Sequence, residues 1–155
     1  MKISKPSKWE KRLAIVVGIS LGIVLSTSAE ANLDQAIAYA EAGEVRKAEI
    51  ELYNISQRAM DGNPKAMCEF GTMYMREGLW IVQSEEDAFE WWHKSAMLGY
   101  APCQFALGAS FLIGNGIEKD LSKAKYWLGK AKDSTYTKYA NASEELYKIH
   151  ELDNY

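Results

Sequence analysis

The 155-residue chain is poor in residues that define several common protein classes. Two cysteines are too few for a disulfide scaffold or for a zinc site built from four thiolates. The two histidines, His93 and His150, lie 57 residues apart, and neither has a second ligand at i+3 or i+4. No metal or other cofactor is therefore expected. Three prolines leave long stretches unbroken. No β-branched run alternates with polar residues beyond residue 31, so strand signals are nearly absent. Basic charge is not in excess: 18 Lys+Arg stand against 21 Asp+Glu, a formal net of −3. That balance excludes a nucleic-acid binder working by bulk charge. A hydrophobic content of 48% excludes a disordered chain, and the length suits one domain.

One long apolar run is present. Lys2, Lys5, Lys8, Lys11 and Arg12 precede it against a single acid, Glu10. The run LAIVVGISLGIVL, Leu13 to Leu25, has 13 residues without a charge. STSAEA follows, with Ala29 and Ala31 two apart. A basic start, a short apolar centre and an A-x-A site make a cleavable secretory signal peptide of residues 1–31. As a helix, the apolar run reaches ~20 Å, short of the ~30 Å hydrocarbon core. The alternative is an uncleaved anchor. No cysteine precedes Cys68, which excludes a lipid-modified cysteine at the processing site. Cleavage after Ala31 would leave residues 32–155, with 13 basic and 19 acidic residues. No further apolar run approaches membrane length, so a periplasmic location is expected.

Self-comparison of the remainder finds repeats. FGTMY (Phe70–Tyr74) matches LGASF (Leu107–Phe111), and AFEWWHKSA (Ala88–Ala96) matches AKYWLGKAK (Ala124–Lys132). Trp91 to Trp127 is 36 residues, whereas Gly71 to Gly108 is 37. The earlier of these two copies thus has one extra residue in its central loop. A weaker first copy lies upstream, with GEVRKA (Gly43–Ala48) opening a helix. Each copy reads as two antiparallel helices. Ala66 and Gly71 are small enough to let a partner helix approach. Ser84 and Asp120 read as N-caps, Gly99 as a left-handed C-cap, and Gly114 and Gly116 as turn formers. Tyr136 to His150 spaces Tyr139, Leu146 and Ile149 helically, as a closing helix would. The expected fold is all-α. It is a right-handed α-solenoid of about three helix-hairpin repeats over residues 32–150, with a C-terminal capping helix and a short tail, 151–155.

The third copy reads LG-x-x-F-x-x-G-x-G-I-x-x-D-x-x-KA-x-x-W-x-x-KA from Leu107 to Ala131. This resembles the Sel-one-like repeat, a relative of the tetratricopeptide repeat. The second copy matches at Ala66, Phe70, Gly71, Tyr74, Ala88, Trp91, Lys94, Ala96 and Gly99. It departs at Glu77-Gly78-Leu79-Trp80, which replaces the G-x-G. The resemblance covers about Leu33–Lys132. Its pattern consists of packing residues, so it is specific for fold. It implies a protein-binding adaptor, since members serve in signalling, secretion, exopolysaccharide export and virulence.

Cys68 and Cys103 sit on first helices of adjacent copies, in a setting expected to be oxidising. Cys68 is three residues before its repeat glycine and Cys103 five before its own. Two residues on a helix is a rotation of about 200°, so one thiol would point forward along the stack and the other back. A disulfide between them is the expectation; two buried free thiols are the alternative. Ser122-Lys-Ala-Lys125 fits the S-x-x-K of serine β-lactamases, but the accompanying S-D-N and K-T-G are missing. The run Glu85-Glu86-Asp87 reads as helix capping, and His93 as a surface residue.

Candidate partner-binding residues come from the remaining aromatic and variable positions. Trp80 lies in the altered loop and Trp92 stands about 100° from the core Trp91. Together with Leu79 and Ile81 they would form an exposed patch, unless the loop folds back over the core. Met67, Met75, Arg76, Gln104 and Leu112 are variable first-helix positions that would line the inner curve of a solenoid, where methionine suits an adaptable surface, unless the N-terminal helix covers them in so short an array. The expected function is non-catalytic binding of a protein or peptide in the cell envelope, as an adaptor or as an immunity-type inhibitor of a secreted effector. The chain would act as a monomer or weak dimer. An envelope hydrolase and a glycan-binding module are the alternatives.

Overall fold

A computed structural model describes residues 32–114 and 117–152. The expected signal peptide, Gly116 and the last three tail residues lie outside them. Seven helices and no strand occur among the described residues. They are α1 Leu33–Glu41, α2 Val45–Met60, α3 Pro64–Met75, α4 Glu85–Met97, α5 Ala101–Ile113, α6 Leu121–Lys132 and α7 Thr137–Ile149. Each packs against its neighbours in sequence, and α7 also touches α5. This is an all-α repeat stack in which the contacts are mostly local.

Helix limits follow from the caps. Asn63, Ser84 and Asp120 each accept a hydrogen bond from the backbone N–H three residues on. Proline follows Asn63 at the first position of α3, where the missing N–H costs nothing. Gly99 and Gly114, with φ of +86° and +77°, end α4 and α5 in the left-handed region. The two complete loops share a fastening. The Ser84 N–H donates to the Tyr74 carbonyl (3.2 Å), and the Asp120 N–H donates to the Phe111 carbonyl (2.9 Å). The extra residue of the earlier copy is therefore absorbed between Met75 and Gln83.

The interior divides into two adjoining cores. Leu33, Ala36, Leu52, Ile55, Phe70, Met73, Tyr74, Leu79 and Trp91 build the first. Leu107, Phe111, Trp127, Leu128 and Leu152 are central to the second. Two glycines set the helix spacing within the complete repeats. A Cβ on Gly71 would lie 2.7 Å from Cδ1 of Trp92 and 2.9 Å from the Ala88 carbonyl oxygen. A Cβ on Gly108 would lie 2.6 Å from Cγ of Leu128 and 2.9 Å from its backbone nitrogen. Residues 92 and 128 are 36 apart, so tryptophan in one copy fills the place of leucine in the next.

The structure departs from expectation at the C-terminal end. Ile149, one of the three residues spaced helically along the closing helix, is 64% exposed. Leu152, placed in the tail, is fully buried in the second core. The chain turns after α7, where Glu151 adopts φ +48°, and brings Leu152 back onto the stack. Burial of a leucine contributes roughly 1.5–3 kcal/mol, which favours that turn over a free end. Ser143 on α7 is fully buried, and its hydroxyl has no hydrogen-bond partner among the described residues. Ser143→Ala is expected to leave stability unchanged or to raise it by up to ~1 kcal/mol, as read by urea unfolding. A loss above that would mean the hydroxyl is satisfied.

Candidate functional site

The loop between α3 and α4 holds the exposed features of the candidate site. Leu79 is buried in the first core and anchors the loop. The next residue, Trp80, is 49% exposed and has φ +54°. The left-handed region is costly for a side chain of this size, by roughly 1–2 kcal/mol. Pinned ends, an extra residue and a buried Leu79 together hold Trp80 there. Val82, two residues on, is also exposed.

Beside this loop is a cleft of ≈ 270 Å³ lined by Ile37, Ala40 and Glu41 of α1 and by Arg76, Glu77, Gly78 and Leu79. Its walls are apolar (Ile37, Ala40, Leu79), and its charged lining carries two carboxylates and one guanidinium. Small-molecule pockets usually span about 300–1,000 Å³. The volume is better matched to one or two anchoring side chains of a protein or peptide. Ile37, Ala40 and Glu41 follow the i, i+3, i+4 spacing of one helix face. That spacing was legible in the sequence, although the partner loop opposite it was not.

The expected binding residues separate into three groups. Arg76 lines the cleft and Trp80 stands in the same loop. Met67 and Met75 are half-buried against the first core rather than open to solvent. Trp92, Gln104 and Leu112 do not belong to an exposed surface. Trp92 lies over Gly71, and its indole N–H donates to the Thr72 hydroxyl at 3.2 Å. Gln104 is buried and donates through Nε2 to the Ala96 carbonyl at 3.2 Å. Leu112 is buried in the second core. The reason is cover by neighbouring helices, which the periodicity of a single helix does not contain: Trp92 of α4 lies on α3, Gln104 of α5 bonds to α4, and Leu112 packs in the second core. Leu79 likewise corrects the exposed patch, because the loop folds back over the core at that residue.

The remaining chemical candidates are also placed. Cys68 and Cys103 form a disulfide with Cα atoms 5.7 Å apart, tying α3 to α5. His93 is exposed at the surface and meets the Trp127 ring edge-on at 5.7 Å. Ser122 is exposed in the first turn of α6, next to the Asp120 cap. The Lys125 carbonyl accepts from the Tyr147 hydroxyl at 2.8 Å. The S-x-x-K match is thus the start of a capped repeat helix. No group of three His, Cys, Asp or Glu residues placed to hold a metal occurs among the described residues.

Glu69 was not singled out by sequence. It is partly buried on α3, and burial pushes its carboxyl above the ordinary carboxylate range. Lys65, a hydrogen bond from the Leu33 N–H and Arg58 oppose that shift, while Asp34 adds to it. Its Oε2 is buried without a hydrogen-bond partner among the described residues, a condition that costs about 1–3 kcal/mol.

Comparison with known proteins agrees with this geometry. The Sel1 repeat family model matches residues 64–100 and 101–136, which are α3 with α4 and α5 with α6 and its following turn. Residues 64–136 thus carry two Sel1 repeats, and the chain is similar to the Sel1 repeat family. A crystal structure of a Sel1 repeat protein from Oxalobacter formigenes is similar, with 26% identity and a TM-score of 0.51 over 70% of this chain and 95% of that one. Chitin synthase regulatory factor 1 of Schizosaccharomyces pombe is 40% identical over 80 residues. That match takes in 49% of this chain but 17% of the yeast protein, so it spans about a sixth of that relative. Sel1 repeats mediate protein–protein interaction. Among the described residues, no helix is long and apolar enough to cross a membrane.

Proposed function

We propose that this Sel1 repeat protein is an exported, non-catalytic binding module that holds a protein or peptide partner at the cleft between α1 and the α3–α4 loop. Trp80 carries the proposal. It is a large aromatic, half-exposed, in a backbone conformation that costs free energy. Aromatic residues of this kind dominate binding energy where they meet an apolar partner. The adjoining walls receive an apolar anchor, and Glu41, Arg76 and Glu77 select its charged neighbours. Repeats of the same family in a regulatory factor support an adaptor role over catalysis. The basic start, apolar run and A-x-A site support removal of residues 1–31 and a periplasmic location. Adaptor of an envelope assembly and immunity-type inhibitor both fit this surface. The Trp92 indole lies over Gly71, which favours a protein or peptide at Trp80 over a glycan held between the two tryptophans.

Affinity capture from the envelope fraction of the native cells tests the proposal. The processed chain is compared with an Arg76→Ala, Trp80→Ala variant. Both side chains are exposed, so the variant is expected to keep its thermal midpoint within ~2 °C. One dominant protein is expected on the native chain, with affinity for the variant weakened at least about tenfold, ~1.4 kcal/mol. Equal retention by both would remove the cleft from consideration.

A further inference from the structure

Glu69 presents a buried acceptor to the first turn of α1. The Leu33 N–H donates to its carboxylate, yet Oε2 accepts from nothing among the described residues. Lys65, Arg58 and Asp34 are the charged groups around it, from α3, α2 and α1. The backbone nitrogen next to that of Leu33 belongs to Asn32, the N-cap of α1. The Asn32 side chain is already engaged, accepting from the Gln35 N–H at 2.7 Å. Its backbone nitrogen is the atom whose chemistry changes on processing. Before cleavage after Ala31 it is a neutral amide with one N–H. Hydrolysis of the Ala31–Asn32 bond consumes one water and leaves a carboxylate on Ala31 and an α-ammonium with three donors on Asn32.

We propose that the α-ammonium released at Asn32 pairs with the Glu69 carboxylate, so that removal of the signal peptide completes the N-terminal fastening of the repeat stack. The proposal rests on the export reading and its boundary at Ala31. An ammonium at a helix N-terminus opposes the helix dipole and would fray α1 on its own. The Glu69 carboxylate offsets that repulsion, and the ammonium supplies the donor that Oε2 lacks among the described residues. The consequence reaches the partner site. Ile37, Ala40 and Glu41 line the cleft from α1, so fixing the start of that helix also fixes one side of the cleft. The processed chain is the form with an ordered cleft.

The test uses the full chain, exported by a bacterial host and collected from its envelope, with the N-terminus read by mass spectrometry. A second form carries Gly inserted between Ala31 and Asn32, so that processing moves the ammonium one residue away. Both are made with Glu69 and with Glu69→Gln. The inserted glycine is expected to lower the thermal midpoint by ~4 °C beside Glu69 and by less than ~1 °C beside the glutamine. Equal lowering in both backgrounds would overturn the pairing and leave the export reading standing. A product that does not begin at Asn32 would overturn both. A measurement without the Glu69→Gln variant gives the same decision. The difference between the two native-background forms is expected to vanish when pH is raised to about 10.5, where an α-amine loses its charge. A difference that persists there would contradict the pairing.

Discussion

Replacing both cysteines with alanine is expected to lower stability by roughly 3–4 kcal/mol, read as a fall of ~10 °C or more in the thermal midpoint. The bond closes a loop across a sequence separation of 35 residues and joins the first helices of adjacent repeats. In a stack built from neighbour contacts, it ties α3, which carries Phe70 and Met73 of the first core, to α5 within the second core, to which both cysteines belong. Both cysteines are buried, so the reductant must wait for the stack to open. Calorimetry with and without dithiothreitol checks this. The native chain should lose its excess stability in reductant, whereas the alanine variant should not respond. A native midpoint that does not move under demonstrated reduction would show that the local helix contacts suffice.

Gly108→Ala is expected to cost ~2–4 kcal/mol, the second of the two largest effects. The added carbon would meet Leu128 at both side chain and backbone, at 2.6 Å and 2.9 Å. A side chain alone could turn away, but a backbone atom moves only if α5 and α6 separate. Leu128→Ala in the same chain is therefore expected to restore little. Gly71→Ala should behave similarly, since the Ala88 carbonyl oxygen stands 2.9 Å from its added carbon. By contrast, Gly62→Ala meets no atom within 4 Å and is strained only by its φ of +90°. Chemical denaturation of the three variants ranks them. A Gly108 variant no less stable than the Gly62 variant would refute close helix approach as the source of the repeat spacing.

Much of the fold was legible because the repeat pattern is a packing pattern. Gly71 and Gly108 mark close approach, Ser84 and Asp120 mark helix starts, and Trp91 and Trp127 mark the cores. The 36-residue offset also held the answer for Trp92, which aligns with Leu128, a core residue. Adjacency to Trp91 suggested exposure because it considers one helix without the helix laid across it. Gln104 and Leu112 were misplaced for the same reason. Burial on α5 depends on α4, α6 and the returning Leu152, none of which a single-helix periodicity contains. The cleft was the least legible part. Its residues come from α1 and a loop nearly 40 positions later, and no local spacing records that meeting. What the sequence did contain was the loop anomaly itself, with one extra residue and a tryptophan outside the repeat pattern. That anomaly lies where the backbone is strained and an aromatic is exposed.

The account stands on Trp80 facing a partner. Site-specific photo-crosslinking in the native cells tests this most directly. A photoreactive phenylalanine analogue is placed at position 80 and, in a second strain, at position 126, an exposed aromatic of α6 outside the cleft. The account predicts a discrete protein adduct from position 80, absent from position 126 and reduced by Ile37→Arg in the cleft wall. No adduct from position 80, or the same adducts from both positions, would contradict it.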